Sequence, residues 1–253
     1  MKRFIISTFV VVVLISLFPA LGYSAEVADL VFYFPMDEGS GDKITDVSEN
    51  KLVAKLENKP KWVQGKVKGA LEFTDGKSMG AAAPPSKVLD LGTDDVSLEA
   101  WFKTDKSAGQ GFIFIKWGGP GYYIKVRDGL LYARFHDGAA GGEVPSKTVV
   151  ADNEWHHVVA IRKDKTMLQI YLDGKLDIEN KNGAGAGSTD NSADLEIGRY
   201  RAERYWNEII DEIRCWRKAL TEEEIQQAME GTVLSAEAAG KLSIAWGYIK
   251  SQF

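Results

Sequence analysis

The chain has 253 residues, 31 Lys+Arg against 36 Asp+Glu for a formal charge of −5, and one cysteine, Cys215. That balance argues against a nucleic-acid partner, whose footprint is a basic patch. A lone cysteine excludes an intrachain disulfide, so the fold must rely on its core.

Residues 1–25 read as an export leader: Lys2 and Arg3, an apolar run from Phe4 to Phe18, Pro19, then Gly22-Tyr-Ser-Ala25. The run is shorter than the roughly 20 residues of a spanning helix. Cleavage after Ser24 or Ala25 is expected, with an uncleaved anchor as the alternative, and no membrane insertion of the mature chain. The rest has 29 Lys+Arg against 36 acids, near −7, and is long enough for one large β-sandwich. No Asn-x-Ser/Thr site occurs, which leans towards a secreted or periplasmic protein of a bacterial envelope.

From residue 29 to 217 the pattern is strand and turn. Val96, Leu98, Ala100 and Phe102 alternate with Ser97, Glu99, Trp101 and Lys103. Asp128-Gly129 separates Tyr122–Arg127 from Leu130–Phe135, and Asp173-Gly174 separates Met167–Leu172 from Lys175–Ile178, two tight hairpins. Leu168, Ile170 and Leu172 alternate with Met167, Gln169 and Tyr171. Residues 182–192, rich in Gly and Ala, read as a flexible surface loop. They lack the Gly-Lys-Ser/Thr ending of a phosphate loop.

In the last long strand, Asn207–Trp216, period two places Ile209, Asp211, Ile213 and Cys215 on one core-facing row. Asp211 and Glu212 then point to opposite faces. A carboxylate on a core row needs backbone donors, a cation or a metal. One helix follows, capped by Thr221 with Glu224 three residues on, with Ile225 and Met229 on its apolar side and Gly231 as its stop. In the tail, 232–253, Leu242, Ile244, Trp246 and Tyr248 share period two, as an edge strand or a docking segment.

The order of phrases resembles LamG-like jelly-roll domains. It runs from Val31–Gly41 (Val-Phe-Tyr-Phe-Pro-Met-Asp-Glu-Gly-Ser-Gly) through Trp62–Phe73, Val96–Lys103, Glu154–Val158, Leu168–Lys175 and Leu195–Gly198. Ile210–Arg214 and Lys218–Ile225 complete it. The resemblance implies an all-β, concanavalin A-like jelly-roll sandwich of two antiparallel sheets over residues 26–231, with one short C-terminal helix. It also implies an exported protein that binds or displays rather than catalyses, such as an accessory module of carbohydrate-active enzymes or adhesins. The small, Gly/Ala-rich stretch Thr74–Pro85 departs from the family pattern.

Three carboxylates are candidate metal ligands. Asp37 follows the opening strand, Asp46 lies in the next loop, and Asp211 comes from a last strand expected beside the first. Such a set of hard oxygens suits Ca²⁺, and the resemblance supports a structural calcium there. The alternative is that Asp37 caps the Glu38–Gly41 turn and Asp211 accepts backbone N–H bonds. Candidate ligand contacts are Trp117 in a Gly-rich turn, Tyr205 and Trp206 beside a loop, and Trp101 on the polar row of its strand. Packing of Trp101 under a loop is the alternative, and Trp62 and Trp155 read as core.

His157 reads as a hydrogen-bonded core imidazole, and no His/Cys cluster suits zinc. No Glu-x-Asp-x-Glu strand of the glucanase type occurs. Glu208 and Glu212 would stand about 13 Å apart, beyond the spacing of a glycosidase pair. The expectation is therefore a non-enzymatic module, stabilised by Ca²⁺, whose loops bind a glycan or an extracellular protein. The alternative is a structural protein of the envelope that binds no sugar and docks through its tail.

Overall fold

The computed structural model describes residues 29–74, 78–201 and 205–230. The leader, Gly231 and the tail lie outside the described residues.

The strands, in chain order, begin with β1 (Leu30–Phe34), β2 (Lys43–Thr45), β3 (Val53–Glu57), β4 (Lys61–Gln64), β5 (Gly69–Phe73) and β6 (Gly80–Ala83). Then come β7 (Val96–Lys103), β8 (Gln110–Trp117), β9 (Gly121–Arg127), β10 (Leu130–His136) and β11 (Val144–Val149). The series closes with β12 (Trp155–Lys163), β13 (Met167–Leu172), β14 (Lys175–Asn180), β15 (Leu195–Ile197), β16 (Glu208–Trp216) and the helix α1 (Glu222–Met229).

They form two eight-stranded antiparallel sheets. The first has the order β14-β13-β12-β7-β16-β5-β4, with β1 also paired to β16. The second has the order β11-β10-β9-β8-β15-β6-β3-β2. Opening and closing strands are thus neighbours, Tyr33 opposite Arg214 and Phe34 opposite Ile213. The core lies between the sheets. Leu98, Ala100 and Phe102 of β7 meet Phe114, Ile124 and Phe135 of the second sheet there. Both Asp-Gly hairpins form, with Asp128 and Asp173 at φ near +50° ahead of their glycines. Among the described residues no helix is long and apolar enough to cross a membrane.

Two expectations need correction. The period-two row of β16 is broken by a bulge between Asp211 and Arg214, where Glu212 takes φ +54°. Ile210, not Ile209, therefore enters the core with Ile213 and Cys215. Asp211 lies opposite Trp101 on the outer side of the sheet, the side on which Glu212 meets Tyr33 and Arg214. An extra residue shifts phase, and period-two counting cannot see it.

The 182–192 segment is packed rather than free. Gly183, Ala184 and Gly185 are buried, and Gly185 N–H donates to Phe135 O. A Cβ on Gly183 would come 2.8 Å from Val144 and one on Gly185 2.7 Å from Ala140 O. The glycines there serve close approach, not mobility.

The capping box at Thr221 and Glu224 forms as expected, and α1 buries Ile225 and Ala228 against the first sheet's outer face. Met229 is only half-buried.

Candidate functional site

Each sheet has an outer face, and the two differ. That of the first sheet is sealed. Leu30, Tyr33, Val159, Ile161, Tyr171 and Trp216 pack there against Leu220 and Ile225. Beneath α1 lies a buried ionic network. Arg214 binds both Glu99 and Glu212 and donates to Ala228 O of the helix. Glu99 also receives His157 Nε2 at 3.1 Å and the Trp216 indole N–H at 2.9 Å. Burial opposes ionisation of Glu99, but Arg214 and these donors outweigh it and hold its carboxyl well below the usual range. Burial dominates at Glu212 and raises it, against the pull of Arg214. Two acids clamped on one guanidinium at the base of a helix are structural in form, since neither reaches solvent.

The second sheet's outer face carries the opposite chemistry. The β9–β10 hairpin sends Tyr122, Ile124 and Val126, with Leu131, Ala133 and Phe135, into the core. Period two then turns Tyr123, Lys125 and Arg127, with Tyr132, Arg134 and His136, outwards. Register sets ring against cation, Tyr123 opposite Arg134 and Tyr132 opposite Lys125. Phe112 and Trp117 of β8 extend the surface, and Tyr200, beyond β15, joins it.

The rings form a chain. Tyr200 to Phe112 is 5.4 Å between centroids, Phe112 to Tyr123 5.3 Å, Tyr123 to Trp117 5.5 Å, and Trp117 to His136 5.3 Å, the last stacked at 14°. Cations interleave: Arg127 lies 4.0 Å from the Tyr132 ring, Arg134 4.9 Å from that of Trp117, and Lys125 is within 6 Å of three rings. Glu143, from the β10–β11 loop, accepts from the Tyr123 hydroxyl, Lys125 and Arg127. Burial works to raise Glu143, but the Lys125 and Tyr123 hydrogen bonds prevail and keep it ionised below its ordinary range. Burial and the nearby Glu143 raise the Tyr123 hydroxyl. Trp117, Tyr132, Arg134, His136 and Tyr200 remain half-exposed. The result is a pre-organised aromatic and cationic floor that can stack on flat or ring-shaped groups.

The residues singled out in the sequence distribute unevenly over this frame. Trp117 belongs to the open face. Tyr205 is half-buried and adjoins β8, its carbonyl at the Cα of Gly111. Trp206 is fully buried in the core, edge-on to Phe102 at 5.9 Å, which makes it a packing residue rather than a ligand contact. Trp101 is also buried, against His157 at 5.0 Å and beneath Lys66, whose ammonium sits 4.5 Å above the ring. The outward rows of β9 and β10, overlooked in the sequence, were legible in it as aromatic and basic residues alternating on both arms of the Asp128-Gly129 hairpin.

The three acids do not converge as one group. Asp46 is buried and accepts from Tyr33 N, Ser48 N, Ser48 Oγ and Leu52 N at 2.7–3.1 Å, bracing its own loop. Asp37 accepts from Lys68 Nζ and Gly69 N. Asp211 accepts from Val67 N at 3.1 Å, while its Oδ1 is buried without a partner. Asp37 and Asp211 thus grip the same β4–β5 turn through N–H donors, and Asp46 stands elsewhere. Among the described residues no three His, Cys, Asp or Glu side chains are grouped to hold a metal. Asp46 and Asp37 face N–H donors and offer a cation little, and Asp211 Oδ1, the one oxygen of the three acids left without a donor, does not make up the six to eight oxygens of Ca²⁺.

Comparison with known proteins completes the picture. The family described as the concanavalin A-like lectin/glucanases superfamily (Laminin_G_3) matches residues 75–226. No curated protein matches the chain. Among solved structures, the binding domain of Paraclostridial Mosquitocidal Protein 1 superposes with a TM-score of 0.67 at 16% identity, over 80% of this chain and 52% of that one. The botulinum neurotoxin serotype G binding domain gives 0.64 at 12%, over 79% and 50%. The binding domain of botulinum neurotoxin DC, solved in complex with rat synaptotagmin II, gives 0.66 at 11%, over 81% and 52%. The same toxin domain has also been solved with SialylT. This chain spans about half the length of those structures, and at such identities the likeness is one of fold.

Proposed function

Because the chain belongs to the concanavalin A-like lectin/glucanases superfamily, we propose that it is a binding module and that the open face of its second sheet is the recognition surface. The observation that carries this reading is the ring chain from Tyr200 through Phe112, Tyr123 and Trp117 to His136, in which the buried Phe112 and Tyr123 brace the half-exposed Tyr200, Trp117 and His136, with no helix among the described residues over it. Aromatic faces braced by cations bury apolar area with little loss of side-chain freedom, which suits recognition of a glycan or a flat protein epitope. Solved relatives in fold have been captured with a protein and with SialylT, both consistent with such a role. The leader would deliver the module to the cell exterior or periplasm.

The reading involves no catalytic step. One buried pair of acids, Glu99 and Glu212, is committed to Arg214 beneath α1. It also differs from the loop-edge, Ca²⁺-held site expected from sequence, because the rings gather on the sheet itself.

A polysaccharide array with the full chain tests the proposal. Saturable binding that Trp117→Ala or Tyr200→Ala weakens, at unchanged melting temperature, is the expected result. Binding indifferent to both substitutions would remove the open face from the function.

A further inference from the structure

Resting on that reading, we propose that the ligand of the open face is a polysaccharide bearing carboxylates, a polyuronate. The chain is acidic overall, at −5. Yet the β9–β10 hairpin turns three cations outwards, Lys125, Arg127 and Arg134, with Glu143 at their border. Glu143 pairs with both Lys125 and Arg127.

Arg134 is treated differently. Its Nε donates to Gly141 O at 2.8 Å, its Nη2 lies 3.3 Å from His136 Nδ1, and its plane sits over Trp117; among the described residues no carboxylate pairs with it. A half-buried guanidinium held in place by neutral groups leaves its charge to be met from outside. A planar carboxylate is the group that its fork of donors matches best.

The rings narrow the ligand further. An acidic peptide would have no need of a chain of rings with regular steps of 5.3–5.5 Å. A neutral glycan would have no need of an uncompensated guanidinium at the Trp117 end of it. A chain of pyranoses, each able to stack on a ring and carrying a carboxylate to its side, uses both features. The half-exposed parts of the floor, Tyr200 at one end and Trp117 with His136 at the other, would hold separate sugars of one chain while Arg134 takes a carboxylate.

Affinity electrophoresis of the full chain in gels containing polygalacturonate, alginate, dextran, dextran sulfate or polyglutamate tests this. The two polyuronates should retard the chain most, and added salt should weaken the effect. Arg134→Gln should weaken polyuronate binding about tenfold, the scale of one charge-assisted hydrogen-bonded contact. It should leave any weak binding to dextran unchanged, and the exposed Lys175→Ala should behave as wild type. If Arg134→Gln does not fold, Arg134→Lys, which keeps the charge but loses the fork, should still weaken polyuronate binding. Equal retardation by polyglutamate or dextran sulfate would overturn the proposal in favour of bare electrostatics. Binding to dextran equal to that of the polyuronates, lost with Trp117→Ala but not with Arg134→Gln, would overturn it while leaving the binding reading intact. Retardation by none of the saccharides would overturn the polyuronate and leave the open face to a protein epitope.

Discussion

Replacing Asp211 with asparagine should change how stability depends on pH. Asp211 is fully buried, and its Oδ1 meets no donor. Burial pushes its pKa from the ordinary 3.8 up to about 8; the charge of Glu212 adds to this, while backbone N–H groups of Val67 and Lys66 pull the other way. The folded chain therefore keeps a proton at this site that the unfolded chain has given up. Stability from this group is complete below pH 4 and declines as pH rises towards 8, at about 1.4 kcal/mol per pH unit. Integrated over that window the loss is roughly 4–6 kcal/mol, a large part of what holds an ordinary domain together. Asparagine keeps the shape and the acceptor for Val67 N–H but does not titrate. Urea unfolding of both proteins from pH 4 to pH 9 should show near-equal midpoints at pH 4 and an advantage for Asp211→Asn that grows with pH up to about pH 8. A difference between the two that stays constant across the range would refute the account of a buried, protonated acid.

Other outcomes follow from the same geometry. Arg214→Met should cost about 3–5 kcal/mol in denaturant unfolding, because it strands Glu99 and Glu212 in the interior without their counter-ion. Trp206→Ala should cost a similar amount through the cavity left beside Phe102, whereas Trp117→Ala, at the surface, should cost under about 1 kcal/mol. Gly65→Ala should destabilise by about 1–3 kcal/mol, since its Cβ would lie 2.3 Å from Gly69 O and 2.5 Å from Asp211 Oδ2. Chelation with EDTA should leave the melting temperature unchanged, as Asp37 and Asp46 are already met by N–H donors and only Asp211 Oδ1 is left without one; a fall of several degrees would restore the calcium site.

Much of the architecture was legible in the residues because local rules agree with the global fold. The alternation of Val96–Lys103, the two Asp-Gly hairpins and the Thr221/Glu224 cap all reappear as drawn. The burial of Cys215 and the His157–Glu99 hydrogen bond bear out what their strand phases implied. The site was less legible, for two reasons. A bulge at Glu212 leaves no compositional mark, so the row of Asp211 was assigned to the wrong side. Exposure, too, is a property of what lies above a residue: Trp206 reads as a ligand contact beside a loop but packs on Phe102, and Trp101 follows its alternative reading, packed under the turn that carries Lys66. Tyr123, Tyr132 and Arg134 were visible as an outward row, but only the placement of α1 on the other sheet shows that no described helix covers their face.

The lopsided covering of the sandwich also gives the domain a front and a back. β1 enters through the first sheet, where Arg217 N–H bonds Asp29 O, and α1 closes the described chain on that sheet's outer surface. Both ends of the described residues, Asp29 and Glu230, thus lie with the first sheet and its helix, and Trp117 and Arg134 look away from them.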